Sequence, residues 1–153
     1  MKMLNCVVYV AGPYRADCER EVVENIRRAE AVALEFWKRG VPTICPHMNT
    51  RLLGGAAPDE VWLEGDLIML GRCDALVLVP DWQKSSGTVT ERNRAHVARM
   101  PVYEIYDGVR MTKKTQFDKI VADLAEQFGF AGDSGSTMRH NEGAREMLED
   151  GRE

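Results

Sequence analysis

Residues 75–91 read ALVLVPDWQKSSGTVTE, and this stretch decides the fold. Ala75 to Val79 is an unbroken apolar run with no polar alternation, the pattern of a strand buried on both faces. Pro80 to Gly87 is broken up by Pro, Asp, two serines and Gly, which predicts a loop. Thr88 to Arg99 then predicts a helix. A buried strand that leads through a loop into a helix is the first part of a βαβ unit.

The same arrangement recurs on both sides. Leu4 to Val10 is a second apolar, β-branched run, closed by the turn Ala11-Gly12-Pro13. Asp17 is placed to cap a helix in which Val22, Val23, Ile26, Ala29, Val32, Ala33 and Phe36 recur at helical spacing. Gly40 stops that helix, and Val41 to Cys45 predicts another strand. Pro46 to Ala57 predicts a loop, Asp59 to Leu70 a helix, and Pro101 to Tyr106 a fourth strand, with a short hairpin or edge strand around Val109. Phe117, Ile120, Val121, Leu124 and Phe128 mark the last helix. Strands alternating with helices predict an α/β fold: three α/β/α layers around a doubly wound parallel sheet of four to five strands, flavodoxin- or Rossmann-like. Residues 1–128 form one expected domain. Residues 129–153 are expected to be a charged tail, flexible or packed on a neighbour.

Ligands of such sheets bind outside the carboxyl ends of the strands, so the loops starting at Ala11, Pro46 and Pro80 are the expected site. Around Ser85, Ser86 and Gly87, a loop opening a helix offers free backbone N–H groups to an anion. Glu91 has two competing readings. It points a carboxylate toward the ligand, or it closes a capping box with Thr88. Gly12 permits close approach, and Arg15 offers a fork-shaped donor suited to phosphate. Asp66 lies among apolar residues, where it must find a partner or take up a proton. Asp74 is expected to tie the turn before its strand through backbone hydrogen bonds. His47 ends the second predicted strand near the ligand. Tyr9, Trp62 and Trp82 are aromatic candidates for stacking on a base.

Neither a dinucleotide fingerprint nor a phosphate-binding Walker loop is present, and no serine lies in a nucleophile elbow. The four cysteines include no CxxC pair, and Cys45 with His47 lacks a second ligand pair, so neither a metal nor a cofactor is expected. A formal net charge of -4 argues against a surface that coats nucleic acid. No apolar stretch approaches the roughly 20 residues that span a bilayer, and no signal-like segment precedes Val7, so a cytoplasmic location is expected.

Taken together, the pieces resemble the nucleoside 2-deoxyribosyltransferase superfamily, which includes 2'-deoxynucleoside 5'-monophosphate N-glycosidases and uncharacterised phage and bacterial members. The resemblance runs from about Val7 to Val102. It rests on Tyr9-x-Ala11-Gly12, Cys45-Pro46-His47, Asp66 ahead of Cys73-Asp74-Ala75, and Ser86-Gly87-Thr88-x-x-Glu91. It implies that Glu91 attacks C1' of the sugar to form a covalent glycosyl-enzyme. It also implies that Asp66 orients the sugar or handles the proton on the departing base, and that Tyr9 positions the nucleophile. Water then gives hydrolysis, and a second base gives transfer. Where relatives acting on free nucleosides carry an acid, this sequence has the neutral Ser85, and Arg15 matches a phosphate-serving arginine. The implied substrate is therefore a nucleoside 5'-monophosphate or nucleoside, and the implied assembly a homo-oligomer. Arg92-Asn93-Arg94 departs from the small residues usual after the nucleophile. Two other readings stand beside this one: a nucleotide-binding sensor without turnover, and a phosphoribohydrolase or NAD glycohydrolase on a related scaffold.

Overall fold

The computed structural model describes residues 1–51, 53–107 and 112–133. Four parallel strands form one sheet in the order β2-β1-β3-β4: β1 (Val8–Ala11), β2 (Thr43–Ile44), β3 (Ala75–Leu78) and β4 (Val102–Glu104). Helices α1 (Glu19–Lys38) and α5 (Lys113–Phe128) cover one face. Helices α3 (Asp59–Leu70) and α4 (Ser86–Val97) cover the other, and one helical turn, α2 (Pro46–Asn49), follows β2. The doubly wound three-layer α/β fold is as expected, with four strands.

Two-residue alternation divides β1 and β3 between two cores. Val8, Val10, Ala75 and Val77 meet Ala29, Ala33, Phe36 and Leu124 of α1 and α5. Tyr9, Ala11, Leu76 and Leu78 turn the other way, toward Leu70 and Ala95 of α3 and α4. Both faces are buried, which explains why these strands read as continuous apolar runs. The order reverses between β1 and β3, and that crevice faces the loops after both strands.

Several boundaries differ from expectation. The chain bends at Asn5 and Cys6, so the first strand begins at Val8, and Leu4 instead bridges Phe130 in antiparallel fashion. The second strand shrinks to Thr43–Ile44, although Val41 is fully buried. In both cases apolar sequence reports burial rather than ladder pairing. Asp17 lies one residue before the cap position of α1, which Cys18 occupies without a side-chain bond. The predicted loop after Cys45 begins as α2, because Pro46 sits at the first helical position, where its missing N–H is harmless. Helix α4 starts two residues early, at Ser86, and α5 starts at Lys113 behind a Thr112 cap. Helix α3 has its expected bounds.

Gly129 turns the chain at φ +69°, Ala131 N–H donates to the Met3 carbonyl, and Lys2 pairs with Asp133 at 2.8 Å. The expected strand at Val109 and the tail from residue 134 lie outside the described residues.

Candidate active site

Tyr9 leaves β1 toward the α3–α4 layer and is fully buried, so its hydroxyl must find a partner there. It donates to Glu91 Oε1 at 2.5 Å. Glu91 can receive it because α4 begins early. Ser85 is the cap, its Oγ accepting from Thr88 N–H at 3.2 Å, which places Thr88 in the first turn and Glu91 in the second. The capping-box reading of Glu91 therefore fails. Its carboxylate serves Tyr9 instead of its own helix.

Asp66 supplies a second carboxylate from α3. Burial pushes its pKa up to about 6. Glu91 is raised to about 7, mainly by burial and further by the negative charge of Asp66, while the Tyr9 hydrogen bond works in the opposite direction. Two acids are thus held in one partly desolvated place, each reluctant to ionise.

Beside them lies a cavity of about 390 Å³ at the carboxyl edge of the sheet. Arg15, His47, Trp62, Asp66, Ser85, Ser86 and Gly87 all line it, so most of the residues singled out in the sequence converge there. Tyr9, Gly12 and Glu91 do not line it. A Cβ on Gly12 would sit 2.0 Å from Val79 Cγ2, so packing between the ends of β1 and β3 by itself requires a glycine. A Cβ on Gly87 would meet nothing closer than Leu63 Cδ2 at 3.4 Å.

His47 sits on α2 rather than on a strand. Its Nε2 lies 2.9 Å from the Pro13 carbonyl oxygen, which only accepts, so Nε2 carries the hydrogen. Burial lowers the pKa of the ring. The neutral ring leaves Nδ1 as a buried acceptor without a partner. Trp62 Nε1, on a residue lining the same cavity, is a buried donor without one. Arg15 forms a 2.5 Å ion pair with Asp59, both side chains largely exposed, a pair worth roughly 0–1 kcal/mol and readily exchanged for another anion.

Residues 6–105 match a family described as "Domain of unknown function (DUF7768)". The chain belongs to this family. No curated protein matches it. Among solved structures, a 2-deoxyribosyltransferase from the psychrotolerant bacterium Bacillus psychrosaccharolyticus superposes with a TM-score of 0.53 at 16% identity. The match covers 77% of this chain and 95% of that one, a likeness of fold.

The cavity has more lining than the motifs disclose. Tyr14 meets the His47 ring edge-on at 5.4 Å, and Asp59 holds Arg15. Neither was singled out in the sequence, although Tyr14 lies in a loop that the crevice rule already selects. Trp82 and Tyr9 are not stacking platforms. Trp82 packs against the α3–α4 core with Arg92 over its ring at 5.9 Å, and Tyr9 is sealed beneath Glu91. Asp74 accepts from Val7 N–H at 2.7 Å, the backbone role expected of it. Cys6, Cys45 and Cys73 are buried, their thiols raised to about 12, 11 and 12 chiefly by burial, so they pack as apolar groups.

Proposed function

We propose that this protein cleaves the N-glycosidic bond of a nucleoside 5'-monophosphate or nucleoside through a covalent intermediate on Glu91. The observation that carries this reading is the Tyr9–Glu91 hydrogen bond in electrostatic contact with Asp66, beside a cavity at the carboxyl edge of the sheet. The reaction uses the singly protonated pair with Glu91 ionised and Asp66 protonated, the less populated of the two arrangements because Asp66 is raised to about 6 and Glu91 to about 7.

In the first step the ionised Glu91 attacks C1', forming an ester as the C1'–N bond breaks. The bonding pair leaves with the base, and protonated Asp66 supplies its proton. In the second step water attacks C1', Asp66 takes a proton from it, and Glu91 is released as carboxylate. A second base in place of water gives transfer. Tyr9 steadies the Glu91 carboxylate through its hydroxyl. The bare Nδ1 of His47 and the Trp62 N–H suit a base edge presenting a donor and an acceptor. A 5'-phosphate exchanges with Asp59 for Arg15 and takes hydrogen bonds from Ser85, Ser86 and the opening of α4.

The reaction needs neither metal nor cofactor, and the expected partner is a small nucleotide, not polymeric nucleic acid or a membrane. No helix among the described residues is long and apolar enough to cross a bilayer. We place the activity in residues 1–128, with 129–153 as a tail, in a cytoplasmic homo-oligomer. Half-exposed Val61, Leu63 and Ile68 on α3 and Val97 on α4 support association through that layer. Sedimentation of the full chain tests this, and a monomer at every concentration overturns it.

The decisive experiment incubates the protein with deoxy- and ribonucleoside monophosphates and free nucleosides, with and without an acceptor base, and follows base release by chromatography. Release that vanishes in Glu91→Gln supports the reading and identifies sugar, base and phosphate preference. In Arg15→Ala, KM should rise about tenfold for monophosphates and little for nucleosides. Binding without release would make the protein a nucleotide sensor.

A further inference from the structure

A second cavity, of about 520 Å³, lies on the opposite face of the sheet between α1 and α5, within the size range of small-molecule sites. Its wall is apolar, formed by Val32 of α1, Ile105 after β4 and Phe117 of α5. Its other lining side chains include four cations, Arg28, Arg39, Lys113 and Lys114, against two carboxylates, Glu35 and Asp107. The lining is thus net positive in a chain of formal charge -4.

Arg39 is held by Glu35 at 2.5 Å and Asp118 at 3.0 Å, so the cations that can turn to a ligand are Arg28 and Lys114. Arg28 reaches Asp81 at 3.3 Å and Asp107 at 3.9 Å, long contacts between half-exposed groups. Such pairs are weak and exchange readily. Lys113 holds Asp107 at 2.6 Å, whereas no acid pairs with Lys114 among the described residues. Both lysines also open α5, where positive charge adds to the positive end of the helix instead of opposing it. An anion beside Arg28 and Lys114 would relieve that repulsion while its body covers Val32, Ile105 and Phe117.

We propose that this cavity is a second small-molecule site that takes an organic anion: a flat apolar body bearing one phosphate or carboxylate group. The proposal stands independently of the reaction assigned to Glu91. Neither half of such a ligand is sufficient, because the apolar wall selects the body and the cations select the charge.

The test titrates the ¹⁵N-labelled full chain with phenyl phosphate, benzoate, inorganic phosphate and benzyl alcohol, following amide shifts. At least one of the first two should bind saturably, about tenfold or more tighter than either inorganic phosphate or benzyl alcohol. Shifts should centre on Val32, Ile105 and Lys114 and include Asp81, which gives up Arg28. The tighter of phenyl phosphate and benzoate identifies the anionic group. Ala31→Trp fills the mouth and Lys114→Glu reverses a charge, both at exposed positions, and each should weaken binding about tenfold. Shifts confined to Ser86 and Gly87, unchanged affinity in both variants, or no saturable binding would overturn the proposal.

Discussion

The two faces of the sheet are built on opposite priorities. On the α1–α5 face, Ile26, Ala29, Val32, Ala33 and Phe36 bury one stripe of a long helix against Val8, Val10 and Val77, although Leu34 and Trp37 of the same helix are half-exposed. The α3–α4 face goes further. It leaves Val61, Leu63, Ile68 and Val97 in solvent while two acids are drawn inward. Among the described residues, buried nitrogens of His47, Trp62 and Trp82 have no partner. A layer selected for stability alone would exchange those positions, since burying an ionised carboxylate or an unpaired polar group is costly. The contrast marks the α3–α4 layer as the one that gives up stability around its two acids, and the α1–α5 layer as the one that carries the long amphipathic helix of the fold.

The largest effect should come from removing the reactive acid. Glu91→Gln keeps an acceptor for the Tyr9 hydroxyl but not a nucleophile, so kcat/KM for base release should fall by about 10³ or more, roughly 4 kcal/mol. The same variant should be the more stable protein at pH 8. Glu91 is raised from an ordinary 4.5 to about 7, so the native state resists its ionisation. That penalty is fully present above about pH 7 and absent below about pH 4.5. Chemical denaturation should therefore show a gain of about 1–3 kcal/mol at pH 8 that disappears at pH 4. An equal loss at both pH values would make Glu91 a structural residue and erase the contrast.

Phe36→Ala probes the other face. Phe36 is fully buried and meets Phe117 edge-on at 5.1 Å, so its truncation should cost about 3–5 kcal/mol in a denaturant titration. Per folded molecule, base release should be nearly unchanged. A variant that stayed folded but lost turnover would show that the two layers are not separable.

Much of this division was legible in the sequence. Two-sided burial of β1 and β3 leaves a period-free apolar run, and Ile26 to Phe36 carries an unmistakable helical period. Glu91 stands out because the loop after β3 opens its helix, and Asp66 because apolar residues surround it, while their paired role rests on the resemblance. What stayed hidden depended on competition between local and distant partners. Thr88 to Glu91 fits a capping box as well as a catalytic helix, and only Ser85 taking the cap together with the Tyr9 hydroxyl decides between them. Val41 is as apolar as Val8, yet only Val8 joins the ladder, because pairing is set by the register of a neighbouring strand. The Arg15–Asp59 pair joins the loop after β1 to the first residue of α3, 44 positions on, a contact with no local signal.

Smaller effects should resolve the carboxylate pair itself. The Asp66 charge raises Glu91, so Asp66→Asn should lower the Glu91 pKa, read by a ¹³C NMR titration of the carboxyl group. The maximum rate should drop about 10²-fold for want of an acid, and the fall of the rate at high pH, where Asp66 is ionised, should disappear. Tyr9→Phe should act with the opposite sign. It deletes a hydrogen bond that favours the Glu91 anion, which raises the Glu91 pKa in the same titration. A hydrogen bond to a charged group contributes about 1.5–3 kcal/mol, so the displacement should amount to about one pH unit after partial compensation by water. Opposed displacements in the two variants would place Tyr9 and Asp66 as counterweights on one carboxylate. Displacements of the same sign would mean that both substitutions act only by loosening the α3–α4 layer, and the acid pair would then be a consequence of packing.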